Sequence, residues 1–203
     1  MSRLAQRNYR VGRVDLGIYW RHRVLLKDPE NAAETQEMAL YMHALGDRER
    51  ANAWADKAIA LSSENPAARY GRFHLNLEFG HLGEVEATLD QLMSSGELQS
   101  GAPQIWNALA GTAMIYLDRP AEAIELLETA LSAPGWAGGL VLDLHLYGNL
   151  AQAHLAMGDT PGARRVAADG LAVVARAARQ GLRSTDLTYA AARLNAYHGN
   201  IEE

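Results

Sequence analysis

Gly12, Gly46 and Gly80 stand 34 residues apart, and the position five residues after each holds Gly17, Ala51 and Val85. Self-similarity at a fixed period of this length marks a chain assembled by stacking one supersecondary unit, which excludes most single-core folds at once. The series continues less strictly, with Asp118 and Ala123 and then Gly158 and Ala163 at spacings of 38 and 40. After each mark comes a stretch that reads as a turn followed by a helix with small residues at set places. Apolar residues recur in steps of three or four, as in Met38, Met42 and Leu45 or Leu146, Leu150, Ala153 and Met157, and no window alternates with period two for long. The expected fold class is all-α.

The pairing of neighbouring positions gives the unit a further signature. Leu4 with Ala5, Met38 with Ala39, Ala110 with Gly111 and Leu150 with Ala151 place a small residue beside a larger one midway through the first helix of each unit. In the second helix, Ala51 and Ala58, Ala123 and Ala130, and Ala163 and Gly170 are small at positions seven apart, and Asp28-Pro29 closes the first unit. This pattern resembles the tetratricopeptide repeat, a 34-residue helix-turn-helix unit. The resemblance implies a single right-handed α-solenoid of stacked antiparallel helix pairs, with repeats at about 1–31, 32–65, 66–103, 104–143 and 144–183. Residues 184–199 then form a lone capping helix, started by Ser184 or Thr185 and stopped by Gly199. Departures from the pattern concentrate in the third unit, where Val85 and Leu92 replace small residues and Arg72 replaces the leucine. The stretch 133–140, containing Trp136, reads as a widened loop.

Composition narrows the chemistry. The chain of 203 residues has no cysteine, so it has no disulfide framework, thiolate metal site or cysteine nucleophile. No apolar run reaches the roughly 18 residues needed to span a bilayer, and arginines interrupt the N-terminus where a signal peptide would be apolar. The expected location is cytoplasmic. Metalloprotease, nucleophile-elbow, P-loop and dinucleotide-binding signatures are all missing. The seven histidines form no ligand pair at i, i+4, and carboxylate pairs such as Glu84 with Glu86 lie on helix exteriors. The expectation is a non-catalytic protein without metal or cofactor, acting as an interaction scaffold or adaptor. The alternative is a regulatory or assembly subunit, or a fragment, of a larger enzyme, secretion, pilus or polysaccharide-export complex.

In the resembling family the first helices line a concave groove, and its inward positions carry over residue by residue. They give Gln6, Tyr9 and Arg10; Gln36, Leu40 and His43; Tyr70, His74 and Leu77; Thr112, Ile115 and Tyr116; Gln152 and Leu155; and Tyr189, Arg193 and Tyr197. From these, Tyr9, Arg10, Gln36, His43, Tyr70, His74, Gln152, Tyr189 and Arg193 are the candidate contacts to a protein or peptide partner, aromatic bodies with polar tips suiting such a ligand. The Lys and Asn that family members use to clamp chaperone tails are replaced here, for example by Gln36 with Leu40 and by Tyr70 with His74, which argues against that ligand.

Net charge is -5, yet residues 1–27 hold seven basic residues against Asp15, about six positive charges in excess. Arg3, Arg7 and Arg10 share one helical face. That stripe is either solvated or meets an acidic partner, with nucleic acid disfavoured by the acidic body and stable membrane insertion by the small apolar area opposite. The short first helix also offers an end for homo-oligomer or heteromer contacts.

Overall fold

The computed structural model describes residues 1–10, 12–95, 103–132, 139–181 and 185–199. Its helices are α1 (Ser2–Arg10), α2 (Val14–Leu25), α3 (Ala32–Ala44), α4 (Arg48–Leu61), α5 (Pro66–Glu78), α6 (Leu82–Ser95), α7 (Pro103–Tyr116), α8 (Pro120–Ser132), α9 (Gly139–Ala156), α10 (Thr160–Arg179) and α11 (Thr185–His198). No strand occurs among the described residues. The chain divides into two compact units, Met1–Val85 and Glu86–Glu203.

The spaced glycines explain how the helices turn. Gly12, Gly46, Gly80 and Gly158 have φ of +78, +76, +74 and +74°, and Asp118 takes the same place with φ of +56°. In all five turns the next residue donates its backbone N–H to the carbonyl five residues back: Arg13 to Asn8, Asp47 to Met42, His81 to Asn76, Arg119 to Met114 and Asp159 to His154, at 2.8 to 3.0 Å. This is the Schellman closure, which satisfies carbonyls that a helix end leaves open and requires a left-handed residue. Aspartate tolerates that conformation better than most side chains, so the turn at 118 forms without glycine. Several following helices start from side-chain caps. Asn31 Oδ1 accepts from the Glu34 N–H and Asp47 Oδ1 from the Arg50 N–H, each at 3.0 Å. Asn65 caps α5 ahead of Pro66 at its first position.

Within the first unit, α2 packs on α1 and α3, α3 on α4 and α5, and α4 on α5. Ala5, Met38 and Ala39 are buried in its interior, as are Ala51, Ala55 and Ala58 on the facing side of α4. Arg72 reaches α4, donating to Asn52 Oδ1 at 3.2 Å and pairing with Asp56 at 3.1 Å. Leu4, which shares the leucine position of the repeat, is 45% exposed. In α6, Val85 and Leu92 are fully buried, so this helix uses bulky residues where α4, α8 and α10 use small ones.

Within the second unit, α7 packs on α8 and α9, α9 on α8, α10 and α11, and α10 on α11. Helices cross closely where side chains are missing. A Cβ on Gly111 would lie 2.7 Å from Leu127 Cγ, and one on Gly170 would lie 2.9 Å from both Leu194 Cδ1 and Tyr147 Cβ. Two sequence expectations change in detail. Gly139 and Leu140, read as loop, open α9. Leu45 and Met157, read as the ends of apolar stripes, sit in the turns after α3 and α9 and are exposed. Trp136 and Ser184 lie outside the described residues.

Candidate functional site

On the first unit the candidate residues come from α1, α3 and α5. The Tyr9 ring stacks flat on Tyr41, with centroids 4.5 Å apart and planes 3° from parallel. Tyr41 is itself fixed from α2: Arg21, 3% exposed, donates to Tyr41 Oη at 3.0 Å and to Glu37 at 3.1 Å, and also pairs with Glu34. Desolvation opposes the charge on Arg21, but hydrogen bonds to Glu34 and Tyr41 and the charge of Glu37 outweigh it and raise its pKa. Tyr70 is half-buried; burial raises its pKa, and the nearby charge of Glu37 adds to the effect.

His43 and His74 meet edge to face, with ring centroids 6.4 Å apart, and His43 Nε2 lies 3.9 Å from Glu78. Burial lowers the pKa of His74, with Glu78 opposing and His43 adding to the shift. At neutral pH His74 is therefore an uncharged, polar-tipped ring on this face.

Gln36 is a correction. It is 2% exposed and therefore no surface contact, because Gly71 on α5 has no side chain to keep it out. A Cβ at Gly71 would fall 2.0 Å from Gln36 Nε2 and 2.3 Å from its Cγ. The amide has sunk between α3 and α5, and neither Nε2 nor Oε1 has a hydrogen-bond partner among the described residues. Leu77 is buried too. Arg3 and Arg7 are exposed on α1, while the side chain of Arg10 lies outside the described residues.

On the second unit the candidates come from α7, α9 and α11. Tyr116 and Tyr189 are 60% and 59% exposed, and Gln152 is exposed as well. Half-buried Arg193 joins two helices: its Nη2 donates to Gln152 Oε1 at 2.8 Å and its Nε to Tyr197 Oη at 3.2 Å. Asn149 Nδ2 donates to Thr112 Oγ1 at 2.9 Å, linking α9 to α7.

Sequence reasoning missed Arg21, whose partners lie 13 to 20 residues away on another helix and leave no local pattern. It also missed His154, whose Nδ1 lies 2.9 Å from Asp159 Oδ2. That pair resembles the His–Asp part of a catalytic triad, but His154 is buried and its Nε2 is sealed from solvent. Asp159 meanwhile accepts the Gly162 N–H at 2.9 Å and caps α10. The backbone hydrogen bond from Gly162, followed by the one to His154, outweighs desolvation and lowers the Asp159 pKa. Among the described residues no group of three His, Asp or Glu side chains could hold a metal ion, and no helix is long and apolar enough to cross a membrane.

No family model matches the chain, and no curated protein matches it. Solved structures do. A tetratricopeptide repeat protein from Parabacteroides merdae ATCC 43184 superposes with a TM-score of 0.69 at 16% identity, covering 94% of this chain and 68% of its own. PilW, described as a widely conserved type IV pilus biogenesis factor, gives 0.67 at 16% identity over 98% of this chain and 84% of its own. MamA from Desulfovibrio magneticus RS-1 gives 0.57 at 17% identity over 84% and 91%. At such identity the likeness speaks for fold alone. Together with the all-helical architecture, it identifies the chain as a tetratricopeptide-repeat-like α-solenoid.

Proposed function

We propose that this chain is a non-catalytic interaction scaffold that holds partner-protein segments on two faces, one built by α1, α3 and α5 in the first unit and one built by α7, α9 and α11 in the second. In this reading α1–α2, α3–α4, α5–α6, α7–α8 and α9–α10 are five repeats and α11 is the cap. The observation that carries it is the combination of exposed tyrosines with amides and imidazoles on these faces, Tyr116 and Tyr189 above all. Large amphipathic rings left in water by a folded monomer bury area on docking while keeping a hydrogen bond. The sealed His154 supports the non-catalytic part, since its carboxylate partner Asp159 is occupied as the cap of α10.

The test is affinity capture from native extract, repeated with Tyr70 and His74 both changed to alanine. Loss of a captured partner with unchanged helical circular dichroism is the expected result. Capture that survives this change and a matching Tyr189→Ala sinks the assignment to these faces. Charge reversal of Arg3, Arg7 and Arg10 examines the N-terminal end as a second contact, for another copy or a different chain. Binding there should weaken with added salt.

A second reading has its own support. PilW, which aligns over nearly the whole chain, is a pilus biogenesis factor. A role as an assembly subunit of an envelope or secretion complex would place the same faces at work inside a larger machine. Co-purification with several stoichiometric subunits, in place of one partner, would favour it.

A further inference from the structure

Arg193 is the only arginine or lysine in α7, α9 and α11. Its guanidinium is held by two neighbours, Gln152 and Tyr197. Nη2 donates to Gln152 Oε1, Nε donates to Tyr197 Oη, and the guanidinium carbon lies 5.5 Å from the Tyr197 ring centroid. On the remaining side is Gly148 of α9, where a Cβ would come within 3.0 Å of Nη1 and 3.1 Å of the guanidinium carbon. A glycine in mid-helix weakens the helix, and here it leaves the room that the guanidinium fills.

Both hydrogen-bond partners are neutral, and no carboxylate among the described residues pairs with this cation. A guanidinium has five N–H donors; among the described residues two are engaged, which leaves both on Nη1 and one on Nη2. Fixed geometry matters because the planar fork matches a carboxylate with two parallel hydrogen bonds, and a braced fork loses little side-chain freedom on pairing. Tyr189 stands one helical turn before Arg193 on α11 and Tyr197 one turn after, the former 59% exposed. A ligand chain can therefore run past Arg193 in both directions along α11, which suits a side chain in the middle of a segment better than a chain end.

We propose that Arg193, braced by Gln152 and Tyr197 over Gly148, is the receptor for an internal aspartate or glutamate of an extended partner segment, with Tyr189 packing on the residue beside it. This rests on the reading of the α9 and α11 face as a docking surface and adds the chemical class that the surface selects.

The probes are two arrays of peptides about twelve residues long, roughly 40 Å when extended, blocked at both ends and identical except for a central glutamate or glutamine. The 203-residue chain is expected to retain the glutamate series about tenfold better, as one charge-assisted pair allows. Arg193→Gln should erase that preference while glutamine peptides bind as before. Gly148→Ala retains the charge but presses the fork aside, so the preference should fall severalfold with helix content intact. That variant decides the matter if Arg193→Gln does not fold. Equal retention of both series, or a preference that survives both substitutions, overturns the proposal. If peptides bind without preference and Tyr189→Ala weakens them all, the acidic-residue receptor fails while the docking face stands. If no peptide of either series binds, both fail.

Discussion

Replacing Gly71 by alanine adds one methyl group where Gln36 already sits. The new Cβ would stand 2.0, 2.2 and 2.3 Å from Nε2, Cδ and Cγ of that side chain. These are three consecutive atoms of a side chain with 2% exposure, so moving its tip does not relieve the overlap. Overpacking of this kind costs roughly 1 to 3 kcal/mol, against a gain of about 1 kcal/mol from replacing a helical glycine. Overlap with three atoms places the cost in the upper part of that range, and a net loss of about 1 to 2 kcal/mol follows. Gln36→Ala alone creates a cavity but removes two amide atoms that have no partner, and these opposing effects leave it within about 1 kcal/mol of neutral. In the double variant the methyl group added on α5 occupies the space vacated on α3, so the two changes should couple favourably by about 2 kcal/mol. Urea unfolding followed by helical circular dichroism on the four proteins measures this directly. If Gly71→Ala is as stable as the starting protein, or the two effects simply add, the placement of Gln36 between α3 and α5 is wrong.

The turns and the buried imidazole make separate predictions. Gly46 has φ of +76° and open space where a Cβ would go, so Gly46→Ala should cost about 1 kcal/mol through backbone conformation alone. The same substitution at Gly83, a helical glycine with equally open surroundings, should be neutral or stabilising, and comparing urea midpoints separates the two. For His74 the folded pKa lies below 6.5, so the unfolded chain binds the proton more readily. Its contribution to stability is complete above that value and is lost as pH falls from 6.5 through the lowered pKa. Unfolding midpoints across that window should decline in the starting protein and decline less in His74→Gln, with Glu78 and His43 left in place to report any residual effect.

What the sequence discloses divides along the range of each interaction. Glycine turns, caps and the small residues of the helix crossings act within a few residues or at fixed steps, so Gly46, Asp47 and Ala51 announce their roles in order along the chain. Even Asp118, which breaks the glycine series, keeps the turn, because a short polar side chain tolerates the same backbone conformation. The faces were less legible. A position rule places Gln36 on the surface, yet its fate depends on the missing side chain of Gly71, 35 residues on. Arg193 meets Gln152 across 41 residues, and Arg21 meets Glu34 and Tyr41 across 13 and 20, spacings with no periodic trace.

The five Schellman turns also bear on how this protein reaches its structure. Each is closed by a bond that reaches back only five residues, so a helix pair can turn on itself before any distant part of the chain has arrived. Contacts this local keep contact order low, and chains of low contact order fold quickly because little loop-closure entropy is lost before native contacts form. Nucleation can then begin at any of several turns and spread to neighbouring pairs. A substitution in one turn, Gly46→Ala for example, should slow or speed only the step that builds its own helix pair.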